Sequence, residues 1–493
     1  MNLSKAVLEG ASRYLGRPVI RFDDQSYSIE WLAEETSKCA QLLVSRSVRR
    51  GDRVLLLARN QPQWLVTFLA TIKIGAIVVP VNPALTANEV GYIAEHSEPA
   101  LLICDADLLD TALPVADRSK IIVIGSGPTD EWGTLIRLCR PHDDYCDVDD
   151  TEPAAIFYTS GTTGRPKGVL QAHASLLATA DVTAATFHLC DTDISLIPNS
   201  LSFIYPLAIN ALGCIRSGAT VVLQERFHPE LAMRAVQAER VTVLMGVPTM
   251  FTMMLNWLEG KTVDCASVRV GVSAGSSLAW SVVERFSVQF AAPLFDLWGQ
   301  TEGTPITSYD SGTHAHGLPD SCGKALLHCA VRVIDDWGND LPAGEVGEVL
   351  LTGPNVMLGY FRNPEATAET LRSGWIHTGD LGKLDDDGYL CIVGRKRDMI
   401  IRGGANIYPV EIEDVIYRDV AVLECAVIGV PDDLYGESVK AIVVVKDGYD
   451  LEESAVLKLC RMNLAEYKIP SIVEFVDDLP KGPTGKILKR LLR

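Results

Sequence analysis

A chain of 493 residues with 47% hydrophobic and 22% charged side chains is that of an ordinary folded protein, too long for a single compact core. Its formal net charge of −19 excludes a general grip on nucleic acid or on an anionic membrane surface, though a local basic site can still take a phosphorylated ligand. The first residues lack a basic start followed by an apolar core, no apolar run exceeds strand length, and the 12 cysteines form no Cys-x-x-Cys pair and no zinc-spaced cluster. The expectation is a cytoplasmic protein with free buried thiols and no membrane span.

Short apolar runs then alternate with amphipathic stretches. Residues 53–59 read as a strand and 63–72 as the helix after it. Residues 75–80, 100–104 and 120–124 are further strands, near-continuously apolar as parallel strands covered on both faces must be. This alternation predicts an α/β fold, with a large N-terminal domain of layered, mostly parallel sheets and helices. The texture changes late: 345–352 alternates like a half-exposed strand, 374–388 is dense in turn residues, and a basic knot follows at Arg395-Lys396-Arg397. The pattern restarts with a helix at 409–417, strands at 424–430 and 440–445, and a helix near Glu453–Asn463. That is enough for one small α+β domain, placing the boundary between 1–396 and 397–493.

The densest chemical signal is Tyr158-Thr-Ser-Gly-Thr-Thr-Gly-Arg-Pro-Lys-Gly-Val169, directly after the apolar run 154–157. Gly161, Gly164 and Gly168 let a backbone turn and present its N–H groups, Thr159, Ser160, Thr162 and Thr163 add hydroxyl donors, and Lys167 adds a cation. Together they suit a polyanion such as a triphosphate. The loop is not a Walker A motif, because Pro166 stands where that pattern needs Gly and Gly168 where it needs Ser or Thr. The competing reading is a surface turn rich in Gly and Thr.

This segment resembles the signature of the adenylate-forming superfamily, which comprises acyl- and aryl-CoA synthetases, luciferases and nonribosomal-peptide adenylation domains. Its further signatures follow in the expected order, so the resemblance covers nearly the whole chain and lies nearest the acyl/aryl-CoA ligase branch. Asp296-Leu-Trp-Gly-Gln-Thr-Glu-Gly303 places a hydroxyl beside a carboxylate. The resemblance implies that Thr301 bonds a phosphate and Glu302 holds Mg2+, with Asp296, Trp298, Gly299 and Gln300 beside the nucleotide. Read alone, Gln-Thr-Glu-Gly is also a helix cap or a turn. In Trp375-Ile-His-Thr-Gly-Asp-Leu381, Asp380 is placed at a strand end and matches the residue that grips the ribose hydroxyls; Arg395 matches a second ribose contact, and His377 is read as structural. In Val272-Ser-Ala-Gly-Ser-Ser277, residues Ala274, Gly275 and Ser276 match a loop flanking the adenine and the reacting carboxylate.

Near the C-terminus, Pro480-Lys-Gly-Pro-Thr-Gly-Lys-Ile487 makes a stiff turn, and Lys486 matches the superfamily's catalytic lysine. Lys481, Lys489, Arg490 and Arg493 read as a solvated basic tail. The resemblance implies a two-step reaction: a carboxylate attacks ATP to give acyl-AMP and pyrophosphate, then a thiol takes the acyl group and AMP leaves. Between the steps the C-terminal domain swings about a hinge matched by Arg397, offering the loop Arg402-Gly-Gly-Ala-Asn-Ile-Tyr-Pro409, whose Gly403 and Gly404 leave room for a pantetheine arm. ATP, Mg2+ and CoA are the implied cofactors and co-substrates. A stand-alone ligase loading an acyl-carrier protein is the rival enzyme, and a catalytically silent nucleotide-binding homologue is the rival of another class.

The acid pocket is expected in Ser200-Leu-Ser-Phe-Ile-Tyr205, where Phe203 stands at a position often held by His. Tyr205 and Val247, with Pro248 and Met250, complete an apolar wall; core packing is the competing reading. No Asp occurs in this segment, where amino-acid-activating relatives carry one for the substrate ammonium. The expected partner is therefore a small, uncharged aryl, alkyl or cyclic acid, acted on by a monomer or homodimer.

Overall fold

The larger, N-terminal domain is built on two sheets with parallel cores. The computed structural model describes residues 1–159, 166–432, 434–482 and 487–492. In the seven-stranded sheet the spatial order is Gly359–Tyr360, Lys167–Ala172, Pro153–Thr159, Ile77–Val81, Arg53–Leu57, Leu101–Asp105 and Ile121–Ile124. Pairing is parallel from Pro153–Thr159 onward, while Lys167–Ala172 closes an antiparallel hairpin back onto Pro153–Thr159. The nine-stranded sheet has a parallel centre, Leu294–Gln300, Val270–Ala274, Val243–Gly246, Ile194–Ile197, Thr220–Leu223 and Pro18–Phe22, with antiparallel edges.

Side-chain alternation explains how these strands stack. Val54 and Leu56 face one core cluster and Leu55 and Leu57 another, on opposite sides of the same sheet. The inner cluster reaches across to Val270 and Val272 of the second sheet. Between them lies the helix Pro62–Lys73, in which every residue except Gln63 is buried. A helix apolar all round belongs in an interior, and Pro62 at its first turn costs no hydrogen bond. Trp64 and Phe68 stack within it at 5.6 Å between centroids. Its one buried cation, Lys73, bonds Ser37 Oγ at 3.1 Å and lies 3.9 Å from the centre of the Tyr145 ring.

A third, antiparallel sheet joins Ala330–Ile334, Gly347–Thr352, Trp375–Leu384, Leu371–Arg372 and Leu390–Arg395. The sequence pattern yields only one of these strands, because the others are half-exposed and lack a continuous apolar run.

The smaller C-terminal domain has Ile400–Arg402, Ala405–Ile407, Val422–Asp432, Gly436–Val445 and Ile472–Phe475 in one sheet, flanked by helices Pro409–Ile416 and Glu453–Asn463. Its own core cluster includes Ile412, Val427 and Val443. The long hairpin runs beyond the expected 424–430 and 440–445 because polar ends such as Glu437 still pair through their backbone.

All twelve cysteines are unpaired; seven are buried, but Cys190 is exposed, against the expectation of buried thiols throughout. Among the described residues no helix is long and apolar enough to cross a membrane.

Candidate active site

The C-terminal ends of the parallel strands and the face of the small domain border one cleft of about 3620 Å³. Thr159 and Lys167 are register partners at the open end of the Pro153–Thr159/Lys167–Ala172 hairpin, so both stand at the base of the Gly- and Thr-rich loop and line the cleft. Ser160, Gly161, Thr162, Thr163 and Gly164 lie outside the described residues. Tyr92 Oη donates to Pro166 O at 3.0 Å, fixing one stem. Gly168 serves packing rather than a turn: it sits in a strand, and a Cβ there would come 2.8 Å from Ile156 Cγ2.

The strand Leu294–Gln300 delivers the second group of residues. Gly299 is required by close approach, since a Cβ would meet Thr304 Oγ1 at 2.6 Å. Beyond Gln300 the chain turns at Thr301-Glu302. Gln171 Nε2 donates to Thr301 O at 2.7 Å, Met357 N donates to Glu302 O at 2.8 Å, and Tyr360 Oη donates to Glu302 Oε1 at 2.8 Å. Asp296 lines the same cleft, and burial pushes its carboxyl up to about 7.

Of Asp296, Glu302 and Asp380, the last is the most heavily engaged. It does not stand at a strand end: it lies inside Trp375–Leu384, only 4% exposed, and pairs in register with Arg395. Arg395 Nε reaches Oδ1 at 2.7 Å, while Trp298 Nε1 and Gln300 Nε2 donate to Oδ2 at 3.1 and 2.9 Å. Three expected nucleotide residues thus converge on a fourth. A carboxylate accepts about four hydrogen bonds, so capacity for a hydroxyl donor remains. His377 stands 3.6 Å from Glu348, in keeping with a structural role.

Val270–Ala274 ends at Gly275, whose φ of 93° turns the chain toward Ser276; all three residues Ala274, Gly275 and Ser276 line the cleft. Val247 faces this turn, its Cγ1 3.7 Å from where a Gly275 Cβ would stand. Phe203 is half-buried, and Tyr205 opens a π-helix, Tyr205–Leu212. Tyr205 lines the cleft as well, and its hydroxyl donates to Val272 O at 2.8 Å, with Gly246 O at 3.3 Å, tying two strands together.

The approach to Phe203 hangs from a residue that sequence reasoning missed. Asn60, 2% exposed, donates to Asn199 O, Gln224 O and Ile197 O and accepts from Leu201 N.

Arg397 lines the cleft in the turn Lys396–Asp398, and Lys396 pairs with Asp336 at 2.9 Å. Gly403 and Gly404, with φ of 57° and 85°, form the turn between Ile400–Arg402 and Ala405–Ile407 and are not among the residues lining the cleft. Lys486 lies outside the described residues. The basic tail is not free in solvent throughout: Lys489 pairs with Glu413 at 2.6 Å and Lys481 with Glu424 at 2.7 Å, each carboxylate largely buried.

Among the described residues no group of three His, Cys, Asp or Glu is placed to hold a metal. A cation here would be held by Glu302 together with phosphate oxygens, the sparse protein coordination that Mg2+ adopts. The residues fit that ion.

The Asp380 clamp, the Thr301-Glu302 turn and the open end of the hairpin at Thr159 and Lys167 thus surround one cleft faced by the small domain, the arrangement of a nucleotide-binding enzyme. The sequence matches the family described as "AMP-binding enzyme" over residues 7–361 and "AMP-binding enzyme C-terminal domain" over 411–486. It is 35% identical to a feruloyl-CoA synthase of Amycolatopsis over 94% of this chain and 92% of that one, and 33% identical to an indoleacetate–CoA ligase of Aromatoleum aromaticum over 99% and 97%. The fold superposes on ATP-bound MatB from Rhodopseudomonas palustris with a TM-score of 0.91 at 30% identity, covering 100% of this chain and 98% of that one. The chain belongs to the AMP-binding enzyme family.

Proposed function

We propose that this enzyme activates a small, uncharged aryl, alkyl or cyclic acid with ATP and passes the acyl group to CoA. The carrying observation is the Asp380 clamp, preassembled by Arg395, Trp298 and Gln300 in the cleft that also holds Glu302 and Lys167. A ring-bearing acid is favoured by the wall of Phe203 and Val247 and by relatives named for ferulate and indoleacetate.

In the first step a carboxylate oxygen attacks the α-phosphorus, the bond to the bridging oxygen breaks, and pyrophosphate leaves with the electron pair. Asp380 accepts from a ribose hydroxyl, with Arg395 beside it. Trp298, Gly299, Asp296 and the turn Ala274-Gly275-Ser276 enclose the base. Thr159, Lys167 and the loop residues Ser160 to Gly164 hold the departing phosphates, and the Thr301 hydroxyl donates to a phosphate oxygen. Bound at Glu302, Mg2+ would offset charge building on the phosphoryl oxygens. Lys486 adds a cation at the α-phosphate.

In the second step a thiol sulfur attacks the acyl carbon, AMP leaves, and the thiol proton passes to solvent. That Gly403 and Gly404 are not among the residues lining the cleft supports a turn of residues 397–493 about Arg397 to present them.

The test is pyrophosphate and AMP release from ATP and Mg2+ across benzoates, cinnamates, arylacetates and alkanoates, with and without CoA. Pyrophosphate release with at least one acid, and CoA-dependent AMP release, are expected. No pyrophosphate from any acid would refute the proposal.

A further inference from the structure

The segment 356–361 crosses between the two phosphate-facing elements and bonds to both. On one side Val356 bridges Gly303, and Met357 N donates to Glu302 O at 2.8 Å. On the other, Leu358 N donates to Leu170 O at 2.9 Å and Phe361 N to Gly168 O at 2.7 Å, with Tyr360 in register with Val169. The strap therefore fixes how far the hairpin carrying Lys167 stands from the turn carrying Glu302.

Tyr360 repeats this linkage with its side chain. Its hydroxyl donates to Glu302 Oε1 at 2.8 Å, and the Lys167 ammonium lies 4.9 Å from the centre of its ring. One residue thus engages both the carboxylate read as the cation ligand and the lysine read as a phosphate contact.

We propose that Tyr360 is a positioning residue for the nucleotide's phosphates and metal, its hydroxyl orienting Glu302 and its ring face seating Lys167. The proposal rests on the reading of Glu302 as the Mg2+ ligand. Tyr360 also packs against the core cluster that includes Val169, Met357 and Ile376, and that packing is the alternative purpose for it. Tyr360→Phe separates the two, because it keeps the ring and removes only the hydroxyl. A carboxylate that ligates a metal depends on the hydrogen bond orienting it, and loss of such a partner weakens metal binding by about ten-fold.

The experiment is calorimetric titration of the full chain with ATP, in Mg2+ and in EDTA, alongside the acid KM. Tyr360→Phe is expected to lose about ten-fold of the Mg2+-dependent gain in ATP affinity while binding in EDTA and the acid KM hold. Tyr360→Leu is expected to weaken ATP binding in EDTA as well, by about three-fold, because the seat of Lys167 goes with the ring. In a Glu302→Gln background, Tyr360→Phe should add nothing, since the two act as one unit. Wild-type Mg2+ dependence in Tyr360→Phe, or equal losses in Mg2+ and EDTA, would overturn the role of Tyr360. A wild-type protein whose ATP binding ignores Mg2+ would instead bring down the reading of Glu302, and the proposal with it.

Discussion

Replacing Asp380 by Asn should cost both stability and nucleotide affinity, and the structure separates the two. The carboxylate takes Arg395 Nε on Oδ1, and Trp298 Nε1 and Gln300 Nε2 on Oδ2. Asn keeps the shape but has one acceptor oxygen and an NH2. If that oxygen serves Trp298 and Gln300, the NH2 faces the Arg395 guanidinium, donor against donor. If the amide turns over, two N–H groups are stranded instead. Breaking a buried ion pair costs about 3–5 kcal/mol, but the Arg395 side chain is 32% exposed, which brings the expected loss to about 2 kcal/mol. In the complex, the ribose hydroxyl taken at the remaining acceptor site also loses a charged partner. At about 1.5 kcal/mol, that is roughly ten-fold in affinity. Titration with AMP reads the second effect, and thermal unfolding without ligand reads the first. A folded Asp380→Asn protein that binds AMP within about three-fold of wild type would refute the ribose clamp and leave Asp380 a structural ion pair.

Lys486→Ala should abolish pyrophosphate release while thioester formation from supplied acyl-AMP survives; equal loss of both half-reactions, measured separately, would contradict its role. Asn60→Ala removes the bonds that hold 197–201 and should raise the acid KM about ten-fold, with the ATP KM nearly unchanged, in steady-state assays varying each substrate. Asp296, with its carboxyl at about 7 against about 3.9 in an unfolded chain, stays protonated in the fold where the unfolded chain has released its proton. Its contribution is therefore fully present below about pH 4 and is lost as pH rises to about 7, by about 4 kcal/mol at most. Asp296→Asn should accordingly stabilise the protein at pH 8 and leave it unchanged near pH 4, as read by thermal unfolding; an equal gain at both pH values would count against the burial argument.

Elements with a strong apolar signal were legible in the sequence. The helix expected at 63–72 is observed as Pro62–Lys73, an apolar stretch too long for a strand, and Glu453–Asn463 keeps its predicted bounds. The antiparallel sheet holding Asp380 was mostly illegible, since its strands are held by ladder bonds between half-exposed residues that leave no apolar signature. The site divides in the same way. Asp380, Arg395, Trp298 and Gln300 could be named one by one from ordered motifs, but nothing in the linear chain says that three of them bond the fourth.

Asn60 and Gln171 left no trace in the sequence for a different reason. Each acts through backbone atoms, which every residue supplies, so no partner residue type marks the contact. Tyr360 does bond a side chain, but from a two-residue strand 58 positions away from Glu302. Motifs therefore state which chemistry a chain carries, whereas the fold states which bonds are already made before a ligand arrives. For Asp380 that difference decides the energetics of binding. A carboxylate free in water must be desolvated and oriented by the incoming ribose, and much of the hydrogen-bond energy is lost to that ordering. With Arg395, Trp298 and Gln300 already in place, the carboxylate is fixed before the nucleotide enters, and the ordering cost has been met in folding.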